Sequence, residues 1–184
     1  LLLLSSMMIA GVTIMIPQFI LLKMWPLAGG NNILGQGGFG LLNTYWAIIL
    51  PGAAGAFAIF MMRQFFLKMP DELMESARID GLSEFGIYRK IFLPLSKPAL
   101  TTLALVTFQS GWNSFMWPLI VLSNKDLYTV QLGLSQFAFS VTNRNPDYGA
   151  LMAGSIIAIL PMLILFLFGN KYFVEGLSFS GSKE

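Results

Sequence analysis

The sequence predicts an all-α protein, a polytopic bundle of transmembrane helices, and three observations predict it. Hydrophobic residues make up 55% of the chain and charged residues only 11%, against roughly a quarter charged in soluble domains; the mean hydropathy is +0.70. Four stretches, residues 1–22, 42–62, 99–122 and 148–172, approach the ~20 mainly apolar residues needed to cross a ~30 Å hydrocarbon core. The basic residues are concentrated on one side of those stretches. A soluble helical core would show charged faces at a 3.6-residue period, and these stretches show none.

Each span carries a Pro or Gly interruption (Pro17, Pro51-Gly52, Gly111, Pro161), which membrane helices tolerate because neighbouring groups re-satisfy the freed backbone. Leu1 opens into a leucine run with no basic flank, so it reads as a cut inside a longer chain rather than a signal peptide. Arg63, Lys68, Arg78, Arg89, Lys90 and Lys97 lie between the second and third spans, and Lys171 and Lys183 follow the fourth. Lys23, Lys125 and Arg144 are left for the other side. The positive-inside rule therefore places the loop 63–97 and the C-terminus in the cytoplasm. Of the outward segments, residues 23–41 are rich in Gly and Asn and read as a flexible loop. Residues 123–147 are longer and mixed, and suit a short cap or an external contact. Trp25, Tyr45, Trp46, Trp117, Tyr128 and Tyr148 fall near outer span ends, where an aromatic belt is expected. Gly52, Gly55 and the alanines around them form a small-residue surface suited to close helix packing.

Several function classes are excluded. The chain contains no Cys and no His, which removes disulfides, Cys/His metal sites and imidazole-based triads. It has no G-x-x-x-x-G-K-[ST] loop, so any ATP hydrolysis belongs to a partner. No cofactor or enzymatic role is expected. A formal net charge of +2 gives no reason to expect nucleic acid. Membrane lipid is the expected surrounding.

The cytoplasmic loop carries the specific signal. Pro70-Asp71-Glu72 starts a helix with acids at its positive end. Leu73, Ala77 and Asp80 continue it to a stop at Gly81. Ser83 caps a second short helix whose Phe85, Tyr88, Ile91 and Phe92 form one apolar stripe ending at Pro94. Such an amphipathic hairpin serves either to dock a protein or to lie on a membrane surface. Glu75-Ser76-Ala77, three residues, Gly81, nine residues and Ile91-Phe92-Leu93-Pro94 resemble the EAA signature of ABC importer permeases, E-A-A-x3-G-x9-I-x-L-P, with Ser76 in place of the first Ala. The stretches around residues 41–47, 60–66, 112–120 and 172–177 extend the resemblance to carbohydrate-importer permeases, the second permease of maltose-type systems above all.

That resemblance implies a sugar or oligosaccharide importer of the bacterial or archaeal cytoplasmic membrane. This chain would hold the last four of about six spans, and residues 29–40 depart from the pattern by their length. The implied partners are a dimer of nucleotide-binding ATPase subunits, a second permease and an extracytoplasmic sugar-binding protein. Glu75, Ser76, Ala77, Asp80, Gly81, Leu82, Ile91, Leu93 and Pro94 become the ATPase-docking residues, and the tail 175–184 a second contact. Gln109 and Asn113 lie four apart on the third span, with Trp117 nearby. Amides and an indole there suit either a sugar path or packing against the partner permease. A permease for another solute is the alternative in class. An ion-coupled secondary transporter would place ionisable groups within spans, and none occurs in the interiors of the four. A membrane scaffold or receptor gives no reason for the EAA spacing.

Overall fold

A computed structural model describes residues 2–142 and 148–178, and all regular structure among them is helical. In chain order the helices are α1 (Leu2–Met7), α2 (Gly11–Lys23), α3 (Trp46–Gly52), α4 (Ala56–Phe66), α5 (Asp71–Ile79), α6 (Glu84–Ile87), α7 (Leu93–Leu95), α8 (Lys97–Trp112), α9 (Met116–Val121), α10 (Val130–Thr142) and α11 (Tyr148–Ser178). A π-helical turn, Tyr88–Phe92, joins α6 to α7. Trp46–Phe66 and Tyr148–Leu167 are each long and apolar enough to cross a membrane; Glu84–Leu95 with Lys97–Trp112 is a third candidate, bent by 70°. Exposed Ile156, Ile157, Ile159, Leu160 and Leu163 share one half of α11, opposite buried Ala158, so the helix turns an unbroken apolar side outward.

The structure draws the predicted spans differently. Residues 1–22 hold two helices, and the longer, α2, has 13 residues. The second span starts at Trp46, and its small-residue stretch is a break: residues 53–55 leave the helix between α3 and α4. The third span is interrupted at residues 113–115. Pro118 lacks an N–H and its ring crowds the preceding turn, so it is accommodated in the first turn of a new helix, α9.

The chain forms two compact units. The first comprises residues 1–56 and 109–162. Its core is Leu22, Ala47, Val121, Leu122 and Leu132, with Phe19, Leu42, Phe115 and Trp117 packed on it. Asn43 staples this core. Its N–H donates to the Val121 carbonyl at 2.8 Å, while Oδ1 accepts from the N–H groups of Ser123 (2.9 Å) and Asn124 (2.8 Å). Asn43 adopts φ +57°, a conformation its short polar side chain tolerates. Trp112 Nε1–H donates to the Ala158 carbonyl at 2.9 Å and holds α8 to α11. The Gly-rich segment 29–40 is also folded rather than slack, through bonds that centre on Asn31.

The second unit comprises residues 57–108 and 163–184. It contains α4, the hairpin from α5 to α7, and most of α8. A ring contact of 5.7 Å between Phe66 and Phe92 ties the end of α4 to the base of the hairpin. Gly169 on α11 lies where a Cβ would come within 2.8 Å of Leu105, so its lack of a side chain permits close approach to α8. The predicted tail contact at 175–184 and Arg144 fall partly or wholly outside the described residues.

Candidate functional site

The hairpin is built from its ends inward. Pro70, at φ −62° and ψ 132°, is the residue before α5, and Asp71 and Glu72 occupy the first turn, where the helix dipole favours acids. Around the axis of α5, Ala77 and Met74 face the chain's own interior, and Ala77 is 2% exposed. Glu72, Glu75, Ser76 and Ile79 share the opposite face at i, i+3, i+4 and i+7. Ile79 is 86% exposed, an apolar side chain alone among polar ones. The Ser76 hydroxyl donates to the Glu72 carbonyl at 2.8 Å, so the departure from the EAA pattern is satisfied within its own helix.

The turn that follows has a defined geometry. Gly81 N–H donates to the Arg78 carbonyl and Leu82 N–H to the Ala77 carbonyl, both at 3.0 Å. This is the Schellman arrangement, with Gly81 at φ +78° as its left-handed residue. Ser83 then caps α6 by accepting from Gly86 N–H at 3.2 Å. Across the turn, Arg78 Nε–H donates to Glu84 Oε1 at 2.9 Å. The hydrogen bond to Glu84, then its charge, raise the Arg78 pKa above its ordinary value, with a smaller contribution from Glu75. The two short helices are therefore joined by a backbone motif and an ion pair.

The apolar stripe of the second arm does not end at Pro94. The helix widens into the π turn, with Leu93 N–H donating to the Tyr88 carbonyl, and continues through Leu95. Pro94 follows directly on that turn, one residue before the run ends, where the regular bonding that its missing N–H would continue is already displaced. Ile87 is buried, Ile91 and Phe92 are half-buried, and Leu93 and Pro94 are exposed. Phe85, 70% exposed, and Tyr88 point outward. The docking residues expected from sequence thus divide. Glu75, Ser76, Asp80 and Gly81 lie on the accessible surface, Leu82 is half-buried, and Ala77 supports the hairpin from inside. Sequence reasoning missed Ile79 and the Arg78–Glu84 pair. An isoleucine four residues after Glu75 on an acidic face was the available signal for the first.

Beneath the hairpin, Phe57, Phe60, Met61, Phe65, Leu73 and Leu95 line an apolar hollow of about 460 Å³ within the second unit. Elsewhere, Gln109 and Asn113 are exposed at the end of α8. Trp117, on α9, is instead half-buried and donates its Nε1–H to the Ala47 carbonyl at 2.9 Å. Among the described residues no group of acidic, His or Cys side chains is arranged to hold a metal ion.

The family described as binding-protein-dependent transport system inner membrane component matches residues 2–178. The arabinooligosaccharide transport system permease protein AraQ of Halalkalibacterium halodurans is 44% identical over 78% of this chain and 50% of its own length. The lactose transport system permease protein LacG of Rhizobium radiobacter is 37% identical over 95% of this chain and 58% of its own. The sn-glycerol-3-phosphate transport system permease protein UgpE of Pectobacterium atrosepticum is 39% identical over 74% of this chain and 48% of its own. The chain spans about half the length of the relatives it matches. All-helical, with membrane-length apolar helices and a match over nearly its full length, the chain belongs to the family of binding-protein-dependent transport system inner membrane components.

Proposed function

We propose that this chain is the transmembrane permease subunit of an ATP-binding-cassette importer that moves a sugar or oligosaccharide by alternating access. The single observation that carries the reading is the clipped hairpin, which presents Glu75, Ile79 and Phe85 on one accessible element between the two helices Trp46–Phe66 and Tyr148–Leu167 that are each of membrane length. A rigid helix–turn–helix with exposed apolar anchors among charges is suited to fill a cleft on a partner. The partner is a dimer of nucleotide-binding subunits, whose closure on ATP pulls the hairpin and moves the spans. A second permease subunit completes the pathway, and an extracytoplasmic binding protein delivers the solute. This reading puts the hairpin and the C-terminus on the cytoplasmic side, which the excess of basic residues between spans supports. Gln109 and Asn113 face either the solute path or the partner permease.

Carbohydrate as substrate is supported by the arabinooligosaccharide and lactose relatives. The glycerol-3-phosphate relatives favour a second reading, a phosphorylated polyol. Reconstitution with the cognate ATPase and binding protein, followed by ATP-dependent uptake of labelled arabino-oligosaccharide, lactose and sn-glycerol-3-phosphate, tests both. Uptake of a sugar that is lost in the Glu75→Lys variant, together with ATPase association, is expected. Full association and uptake in a variant carrying both Glu75→Lys and Ile79→Ser would overturn the docking role.

A further inference from the structure

The segment between α2 and α3 has an architecture that a simple connector does not need. Asn31 is buried, and its Nδ2 donates to the carbonyls of Lys23 (2.8 Å) and Trp25 (2.9 Å), while Oδ1 accepts from Gly38 N–H at 2.7 Å. Asn32 Oδ1 accepts from Leu34 N–H and Gln36 N–H, each at 2.9 Å. Leu41 N–H reaches the Leu22 carbonyl at 2.9 Å. The segment folds back on the C-terminal end of α2 and supplies donors to carbonyls that a helix end leaves free. Gly35 and Gly40 lie where a Cβ would collide with the backbone at Met24 and at Leu22–Lys23, so main chain is packed on main chain. Leu27 is held at φ +57°, a conformation a leucine rarely adopts without such surroundings.

This rigid frame turns apolar side chains outward. Leu27 and Ile33 are 77% exposed, Leu34 73% and Phe39 72%. No charged residue occurs between Lys23 and Arg63. The exposed polar side chains of the segment, Asn32 and Gln36, are neutral, so it offers no charge with which to steer and orient a soluble protein. A bilayer interface needs no such charge: Trp and Tyr settle at headgroup level and apolar side chains reach the acyl boundary. The segment also runs directly into Trp46, the first residue of a membrane-length helix, and exposed Trp25, Tyr45 and Trp46 flank it. Covalent continuity therefore keeps it at the membrane surface.

We propose that this segment is a preformed interfacial anchor whose tip, Leu27, Ile33, Leu34 and Phe39, sits in the headgroup–acyl boundary of the bilayer. Rigidity keeps the apolar tip presented to lipid, where a slack loop of the same composition would lose conformational freedom on inserting. The anchor fixes the depth and tilt of α2 and of the span beginning at Trp46.

The test uses the membrane complex containing this chain, reconstituted in vesicles of phosphatidylethanolamine and phosphatidylglycerol. The chain has no native cysteine, so Leu34→Cys carries a bimane label, and Asp126→Cys, at an exposed polar site, is the aqueous reference. The label at position 34 is expected to be quenched about threefold more by lipid spin-labelled near the carbonyl, and about threefold less by iodide, than the label at 126. Equal access to iodide at both positions overturns the anchor. Shielding from both quenchers, the result for a tip covered by a protein subunit, also overturns it. Should Leu34→Cys fail to assemble, Ile33→Cys carries the same measurement.

Discussion

Trp117 donates its indole N–H to the carbonyl oxygen of Ala47 at 2.9 Å, across 70 residues of chain. The bond has a local cause. Residue 51, four positions after Ala47, is a proline and has no N–H to return to that carbonyl. Ala47 is fully buried, so without Trp117 its oxygen would lose its donor where water does not reach. Trp117→Phe is therefore expected to destabilise the first unit by about 1–3 kcal/mol, seen as a lower thermal midpoint in detergent. The apparent solute affinity should stay unchanged, whereas a role in stacking on a sugar would show as a raised KM for uptake.

Gly81 predicts a loss of a different kind. It adopts φ +78°, and nothing lies within 4 Å of an added Cβ, so a side chain there meets no clash. Only backbone conformation opposes substitution, at about 1–2 kcal/mol for Gly81→Ala. Gly81→Asn should cost less, because asparagine visits the left-handed region more readily, and Gly81→Val more. ATPase association measured across the three variants should follow that order.

Ile79 and Ala77, two residues apart, should respond oppositely. Ile79→Ser removes an exposed apolar anchor and should weaken ATPase binding by about 1–3 kcal/mol without lowering the stability of the isolated permease. Ala77→Leu overfills a buried position and should lower that stability by about 1–3 kcal/mol. Pull-down of the ATPase beside thermal unfolding of the permease separates the two effects.

The Arg78–Glu84 pair sets a pH expectation. Its folded-state Arg78 pKa is raised, so the stability this group adds is fully present below its unfolded pKa and is lost only as pH rises through the folded value, in strong alkali. The ratio of solute moved to ATP hydrolysed should accordingly stay flat from neutral to mildly alkaline pH. Both groups are more than half exposed, so the pair is screened by water and salt. Exchanging them (Arg78→Glu with Glu84→Arg) should recover coupling that either single change reduces.

Much of the fold was legible because it depends on composition and spacing. Apolar helical stretches need no tertiary information to be recognised, since each must satisfy its backbone within itself, although the structure breaks three of the four at residues 8–10, 53–55 and 113–115. The hairpin was legible for a related reason. Pro70, Gly81 and Ser83 act locally through a helix start, a left-handed stop and a cap, and all three work where they were expected. Pro94 was misread as a stop, because the π turn before it lets the helix continue one residue past the proline.

Tertiary structure decided which side of each element meets the outside. Ala77 and Ile79 both belong to α5, yet packing buries one and leaves the other exposed. Trp117 read as a neighbour of Gln109 and Asn113, but Pro51, distant in sequence, leaves the carbonyl that turns it inward. The Gly/Asn segment read as flexible because glycine is permissive. Asn31 and the carbonyls at the end of α2, which meet only in the folded chain, make it rigid. Local chemistry determined where the helices of the hairpin begin and stop. Partners far apart along the chain determined which side chains remain free to act.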